Sequence, residues 1–111
     1  MDIVDKRVVV TGAASGIGKA LAIEFKNEKA KDVVLADLNE DVLKVAEELG
    51  FSGFVLNVAK EEEVKGLISF ANEKMGGIDI FCSNAGIGGA FGLLEVSTDD
   101  WQTIWDVNFM A

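Results

Sequence analysis

The run Thr11-Gly12-Ala13-Ala14-Ser15-Gly16-Ile17-Gly18, set directly behind the apolar stretch Val8-Val9-Val10, constrains the fold of this chain more than any other feature. A sharp turn needs a residue free of Cβ, a phosphate needs close backbone approach, and a helix crossing near a strand needs a small residue. Gly12, Gly16 and Gly18 can fill those three roles. Beyond them Ile17, Leu21 and Phe25 recur every four residues on one face while Lys19, Glu24 and Lys26 fall elsewhere, which predicts a helix. Its N-terminus would offer unpaired N–H groups and a partial positive charge to an anion. The strand, turn and helix therefore read as a cradle for a dinucleotide pyrophosphate. The spacing G-x-x-x-G-x-G differs from the commoner G-x-G-x-x-G fingerprint, and an ordinary tight turn would use glycines too, so the rest of the chain has to decide.

Four apolar strand candidates follow in order, Arg7–Thr11, 32–36, 53–56 and 78–82, separated by helix-patterned stretches. A helix over 39–49 carries Val42, Leu43, Val45, Ala46 and Leu49 on a wide apolar face and stops at Gly50. Another over 60–74 opens on Glu61, Glu62 and Glu63, suited to a positive helix start, and ends before Gly76 and Gly77. The strands are continuously apolar rather than alternating, as expected when helices cover both faces of a parallel sheet. Right-handed crossovers then predict an α/β, doubly wound parallel sheet of four strands in the order 3-2-1-4. In the last segment Ser97-Thr98-Asp99-Asp100 looks like a helix start, with Trp101, Ile104, Trp105 and Asn108 following on one stripe.

Composition narrows the function. A chain of 111 residues, half of them apolar, supports one packed domain. No apolar run suggests a membrane span and the N-terminus lacks the regions of a signal peptide, so a cytoplasmic protein without a membrane role is expected. Cys82 is the only cysteine and there is no histidine, which leaves no metal site in view. Its place in an apolar run favours a buried strand thiol over a nucleophile. With a net charge of −9 and no basic cluster, a nucleic-acid partner is not expected. The absence of tyrosine and histidine removes two common general acid–base side chains from these residues.

Asp37 ends the second strand candidate, 19 residues after Gly18, near the ~20-residue spacing at which a carboxylate meets the adenosine ribose. The same charge would repel an NADP 2′-phosphate by about 4 kcal/mol at 4 Å and an effective dielectric of 20, and a third of that gives roughly tenfold preference for NAD. The plainer reading is a turn residue beside Asn39. Asn84-Ala85-Gly86 follows the fourth strand, where ligand crevices form in parallel sheets. Asn108 places an amide among tryptophans, which requires a polar partner.

Taken together these residues resemble the N-terminal part of the classical short-chain dehydrogenase/reductases. Residues 11–18 fit that family's T-G-x-x-x-G-x-G, Asn84-Ala85-Gly86 its N-A-G, and Asn108 its helical active-site asparagine. The resemblance implies a Rossmann-like fold and an NAD(P)-dependent oxidoreductase passing hydride between the nicotinamide and an alcohol or carbonyl carbon. It further implies cofactor contacts for Gly12, Ser15, Gly16, Ile17, Gly18, Asp37, Leu38, Asn57, Val58, Asn84, Ala85 and Gly86, with NAD preferred because of Asp37. Asn108 would hold a water in the proton relay. Asn57-Val58 departs from the family's usual Asp-Val near the adenine. The family's Ser and Tyr-x-x-x-Lys would lie beyond Ala111, so residues 1–111 are expected to be the cofactor-binding half, cut within the helix carrying Asn108 and inactive alone.

Two rival expectations stand beside this one: a non-catalytic NAD-binding module, and a self-associating fragment. Truncation would leave the fourth strand as an apolar edge and uncover Trp101 and Trp105, and the family's use of the Asn108 helix in subunit contacts points to a homo-oligomer. The segment 86–96, with Phe91, Leu93 and Leu94, is expected to be a loop bordering an apolar substrate.

Overall fold

The structure, a computed structural model, describes residues 3–83 and the backbone of the strand at 92–95. Its elements are β1 (Arg7–Thr11), α1 (Gly16–Asn27), β2 (Asp32–Asp37), α2 (Asp41–Leu49), β3 (Ser52–Val55), α3 (Glu61–Met75), β4 (Ile80–Ser83) and β5 (Gly92–Glu95). The sheet order is β3-β2-β1-β4-β5. The first four strands are parallel, with Val9 opposite Val34 and Phe81 across the centre. The predicted order 3-2-1-4 is therefore the order observed.

Because side chains alternate across a strand, the valine run in β1 serves two cores. Val8 and Val10 join Val33, Leu35, Ala22, Phe25, Val42 and Val45 beneath α1 and α2. Val9 turns the other way and packs with Val34, Leu67, Ile68, Ala71 and Ile78 beneath α3. All three central valines are fully buried. Burial of both faces explains why these strands read as unbroken apolar runs. Glycine ends α2 and α3 as predicted: Gly50 and Gly76 cap them in the left-handed region at φ 78° and 79°. At Gly53 a Cβ would sit 3.0 Å from the Leu43 side chain and 3.1 Å from its Cα, so the missing side chain is what lets α2 approach β3.

Three expectations change. First, β4 is not the edge of the described sheet: β5 pairs with it antiparallel, from Ile80↔Glu95 to Ser83↔Gly92, where the sequence suggested a loop over 86–96. The outer N–H and C=O groups of β4 need partners, and a returning strand satisfies them. Second, the inward stripe of α1 is Gly18, Ala22 and Phe25, with Leu21 only partly buried and Ile17 65% exposed. The close contact is made at glycine, so the stripe slips by one residue. Third, the fourth strand begins at Ile80 rather than residue 78, because the Asp79 side chain takes the first backbone N–H of β1. Elsewhere boundaries move by one or two residues, as helix and strand ends commonly do. Among the described residues no helix is long and apolar enough to cross a membrane.

Candidate functional site

Three parallel strands deliver their C-terminal ends to one edge of the sheet, and the chain between β1 and α1 is fastened there from both sides. Ala13 N–H donates to the Ala36 carbonyl at 3.2 Å, and Ala14 N–H donates to Asp37 Oδ2 at 2.9 Å. On the other flank the Thr11 hydroxyl donates to the Cys82 carbonyl at 3.3 Å. Gly12 at φ 67° and Gly16 at φ 61° occupy the left-handed backbone region that side chains disfavour. A Cβ built on Gly16 would meet nothing within 4 Å, so its glycine answers a backbone demand and leaves open space in front of α1.

That space faces an unneutralised helix start. Ser15 enters α1 in extended conformation without a side-chain cap, and the first turn holds no acidic residue. The leading N–H groups are thus left for an outside acceptor, with the helix dipole behind them. This arrangement fits a pyrophosphate. By contrast α3 opens on three glutamates and α2 on Asp41.

Asp37 closes the next strand and is partly exposed. Its Oδ2 accepts from Ala14 N–H, and its Oδ1 accepts from Asn39 N–H at 3.0 Å. The residue therefore plays the plain turn role and also braces the glycine-rich turn across a gap of 23 residues. Each carboxylate oxygen keeps acceptor capacity after one such bond, so diol hydroxyls can still be received. The ion pairs among the described residues join Arg7 to Asp79, Lys60 to Glu63 and Lys65 to Glu61, and none includes Asp37. Two large apolar side chains stand uncovered on these segments, Leu38 directly after Asp37 at 67% exposure and Ile17 in the first turn of α1 at 65%.

The third strand ends in a compact turn. Leu56 N–H donates to the Asp37 carbonyl at 3.0 Å, linking this turn to the acidic residue. Asn57 Oδ1 accepts from Ala59 N–H at 2.9 Å, while Asn57 N–H donates to Glu63 Oε1 at 2.8 Å. Val58 packs beside the core beneath α3. The structure thus gathers Gly12, Ser15, Gly16, Ile17, Gly18, Asp37, Leu38, Asn57 and Val58 at one edge, while Asn84, Ala85, Gly86 and Asn108 lie outside the described residues.

Sequence reasoning missed Ala14 and Glu63. Ala14 contributes only a backbone N–H, which no side-chain pattern announces. Glu63 sits in the first turn of a helix, a position whose carboxylates often reach back to an upstream N–H. Also missed was the opposite end of the sheet. There Arg7 Nε and Nη2 donate to the two oxygens of Asp79 at 2.8 and 3.0 Å, and Nη1 donates to the Gly76 carbonyl at 2.9 Å. The guanidinium hydrogen bonds hold the Asp79 carboxyl down at about 2. Cys82 is fully buried, and burial pushes its thiol up to about 12, so it is an inert strand residue.

A family profile described as short chain dehydrogenase matches residues 6–111. An uncharacterized oxidoreductase of Staphylococcus aureus strain MRSA252 is 42% identical over 108 residues, covering 94% of this chain and 46% of that protein. The chain therefore spans about half the length of the curated relatives it matches. Among solved structures, a short chain dehydrogenase/reductase from Burkholderia phymatum in complex with NAD superposes with a TM-score of 0.70 at 26% identity, over 73% of this chain and 31% of that one. A 3-ketoacyl-(acyl-carrier-protein) reductase from Brucella melitensis complexed with NADH superposes with a TM-score of 0.68 at 32% identity, over 71% and 34% respectively.

Proposed function

The chain belongs to the short chain dehydrogenase family of oxidoreductases, and from that premise we propose that it supplies the cofactor-binding half of an NAD-dependent enzyme interconverting an alcohol and a carbonyl compound. The observation that carries this reading is the Asp37 carboxylate, anchored on Ala14 N–H and Asn39 N–H beside an uncapped helix start. The solved neighbours described with NAD and NADH support a nicotinamide dinucleotide in general. The preference for NAD rests on the charge at Asp37.

In this reading the N–H groups opening α1 receive the pyrophosphate, with Gly12 and Gly16 allowing its approach and Gly18 keeping the helix near the sheet. Asp37 accepts the adenosine ribose hydroxyls, and Ile17, Leu38 and Val58 shield the apolar parts of the nucleoside. Asn84, Ala85 and Gly86 take the ribose on the far side, and Asn108 holds a water for proton transfer. When bound, the nicotinamide supplies the hydride acceptor or donor. The reaction belongs to the whole protein, whose cytoplasmic location and homo-oligomeric assembly are part of the same proposal.

Calorimetric titration of the full-length protein tests it. NAD is expected to bind in the micromolar range and NADP at least tenfold more weakly, since a 2′-phosphate would meet a carboxylate with no cation paired to it among the described residues. Equal affinity for the two would overturn the NAD assignment, and failure of both to bind would overturn the dinucleotide reading.

A further inference from the structure

β5 departs from the pattern of the sheet it joins. β4 is buried on both faces, with Ile80 and Cys82 in the core beneath α1 and α2 and Phe81 in the core beneath α3. Burial on both faces is the mark of an interior strand in a parallel sheet, and β1 and β2 share it. β5 is of another kind: it runs antiparallel, and its four residues set two leucines between a glycine and a glutamate. A charge on a short strand is how a sheet meets solvent at its edge.

The sequence holds the means of filling the place beside β4 in a second way. A parallel neighbour requires a crossover of about a dozen residues or more, usually a helix. Residues 84–91, between Ser83 and Gly92, are too few for one, so the return to β5 is antiparallel. Past β5 the sequence carries the signals of a crossover helix, a start at Ser97-Thr98-Asp99-Asp100 and then Trp101, Ile104, Trp105 and Asn108 on one stripe. These positions lie outside the described residues. In a doubly wound sheet, the strand that follows such a helix lies parallel beside the fourth and extends the order 3-2-1-4. That place is the one β5 holds. The two neighbours exclude each other, because β4 has a single outer row of N–H and C=O groups to share. The parallel strand wins when it is available, since its crossover helix buries an apolar stripe against the sheet and β5 brings four register pairs alone.

We propose that β5 is a provisional edge strand: residues 92–95 cover β4 while residues 1–111 stand alone, and yield the place to a parallel strand from the remainder of the full-length protein. This rests on the reading of residues 1–111 as half of a longer oxidoreductase. The outer edge of β4 is then the surface on which the two halves join. Until they do, the segment 92–95 keeps that edge from pairing with other chains. Once released, the same segment is free to lie at the C-terminal end of the sheet, where ligand crevices form.

Amide hydrogen exchange, compared between the 111-residue chain and the full-length protein, tests this. In the 111-residue chain the amides of 92–95 that face β4 are expected to exchange at least about a hundredfold more slowly than in an unstructured peptide. In the full-length protein they are expected to exchange within about tenfold of the unstructured rate, while the amides of β4 stay protected. A double variant, Leu93→Pro with Leu94→Pro, removes an inward N–H whichever of the two faces β4, because successive N–H groups along a strand point to opposite sides. In the 111-residue chain it is expected to raise the light-scattering mass above that of the unsubstituted chain, and in the full-length protein to leave β4 protected. Lack of protection at 92–95 in the 111-residue chain would overturn the inference, as would an unchanged scattering mass in the double variant. Protection of 92–95 in a full-length protein that binds NAD would overturn it and spare the functional reading. Released 92–95 in a full-length protein that binds no dinucleotide would do the reverse.

Discussion

At the N-terminal end of the sheet, Asp79 spends both carboxylate oxygens on the Arg7 guanidinium and on Arg7 N–H, while Arg7 also ties down the Gly76 carbonyl. At the C-terminal end, Asp37 also uses both oxygens, but on the uncharged N–H groups of Ala14 and Asn39. One carboxylate is neutralised by a cation of the same chain and its neighbourhood is closed. The other keeps its charge and spare acceptor sites beside a helix start with no acidic residue in its first turn. The contrast teaches that the kind of partner a carboxylate is given, rather than the number of its bonds, separates a fastening from a receiving site.

The largest way to break the contrast is to open the fastened end. Asp79→Ala leaves Arg7 without its bidentate partner at a site where both side chains are about a quarter exposed. A loss of about 3 kcal/mol in urea unfolding is expected, with NAD affinity little changed. A milder version uses pH. The folded value for Asp79 is about 2 against an ordinary 3.8, so its contribution is present above about pH 4 and disappears as pH falls toward 2. That amounts to about 2 kcal/mol, and its absence from the Asp79→Ala variant identifies the source.

At the open end the effects should appear in binding before stability. Asp37→Ala removes the ribose acceptor and frees Ala14 N–H, so NAD affinity is expected to fall about tenfold or more. Affinity for NADP should not rise above that of NAD in the unsubstituted protein, because the turn has lost its brace. Gly16→Ala places a Cβ in open space but at φ 61°, so a backbone cost of about 1 kcal/mol is expected in unfolding, alongside weaker dinucleotide binding. Least of all, Gly66→Ala in the middle of α3 should stabilise by about 0.5 kcal/mol, since its Cβ would rest 3.6 Å from the Phe54 ring in ordinary contact. It touches neither end and serves as the reference for both.

The candidate site was legible wherever a residue's type carried the requirement. Gly12 and Gly16 are demanded by φ values that other residues resist, and Asp37 was marked by its distance in sequence from the glycine turn. The double service of Asp37 was half legible, since its bond to Asn39 is a local turn pattern while its bond to Ala14 spans β1 to β2. The four-residue repeat of Ile17, Leu21 and Phe25 marked the helix but not its buried stripe, because periodicity cannot see that the helix makes its close approach at Gly18. β5 was invisible because Gly92-Leu93-Leu94-Glu95 is too short and too little alternating to announce a strand.

What the sequence determined by itself is the order of elements, the parallel arrangement of four strands and the glycine turn at their centre. Those follow from local rules: apolar runs, helical spacing, and residues that alone tolerate a left-handed backbone. Only the tertiary structure decided that Arg7 meets Asp79, that Ala14 meets Asp37 and that β4 has an antiparallel neighbour. Each of these is a hydrogen bond whose partner is chosen by the register of distant segments, and register is a property of the packed sheet.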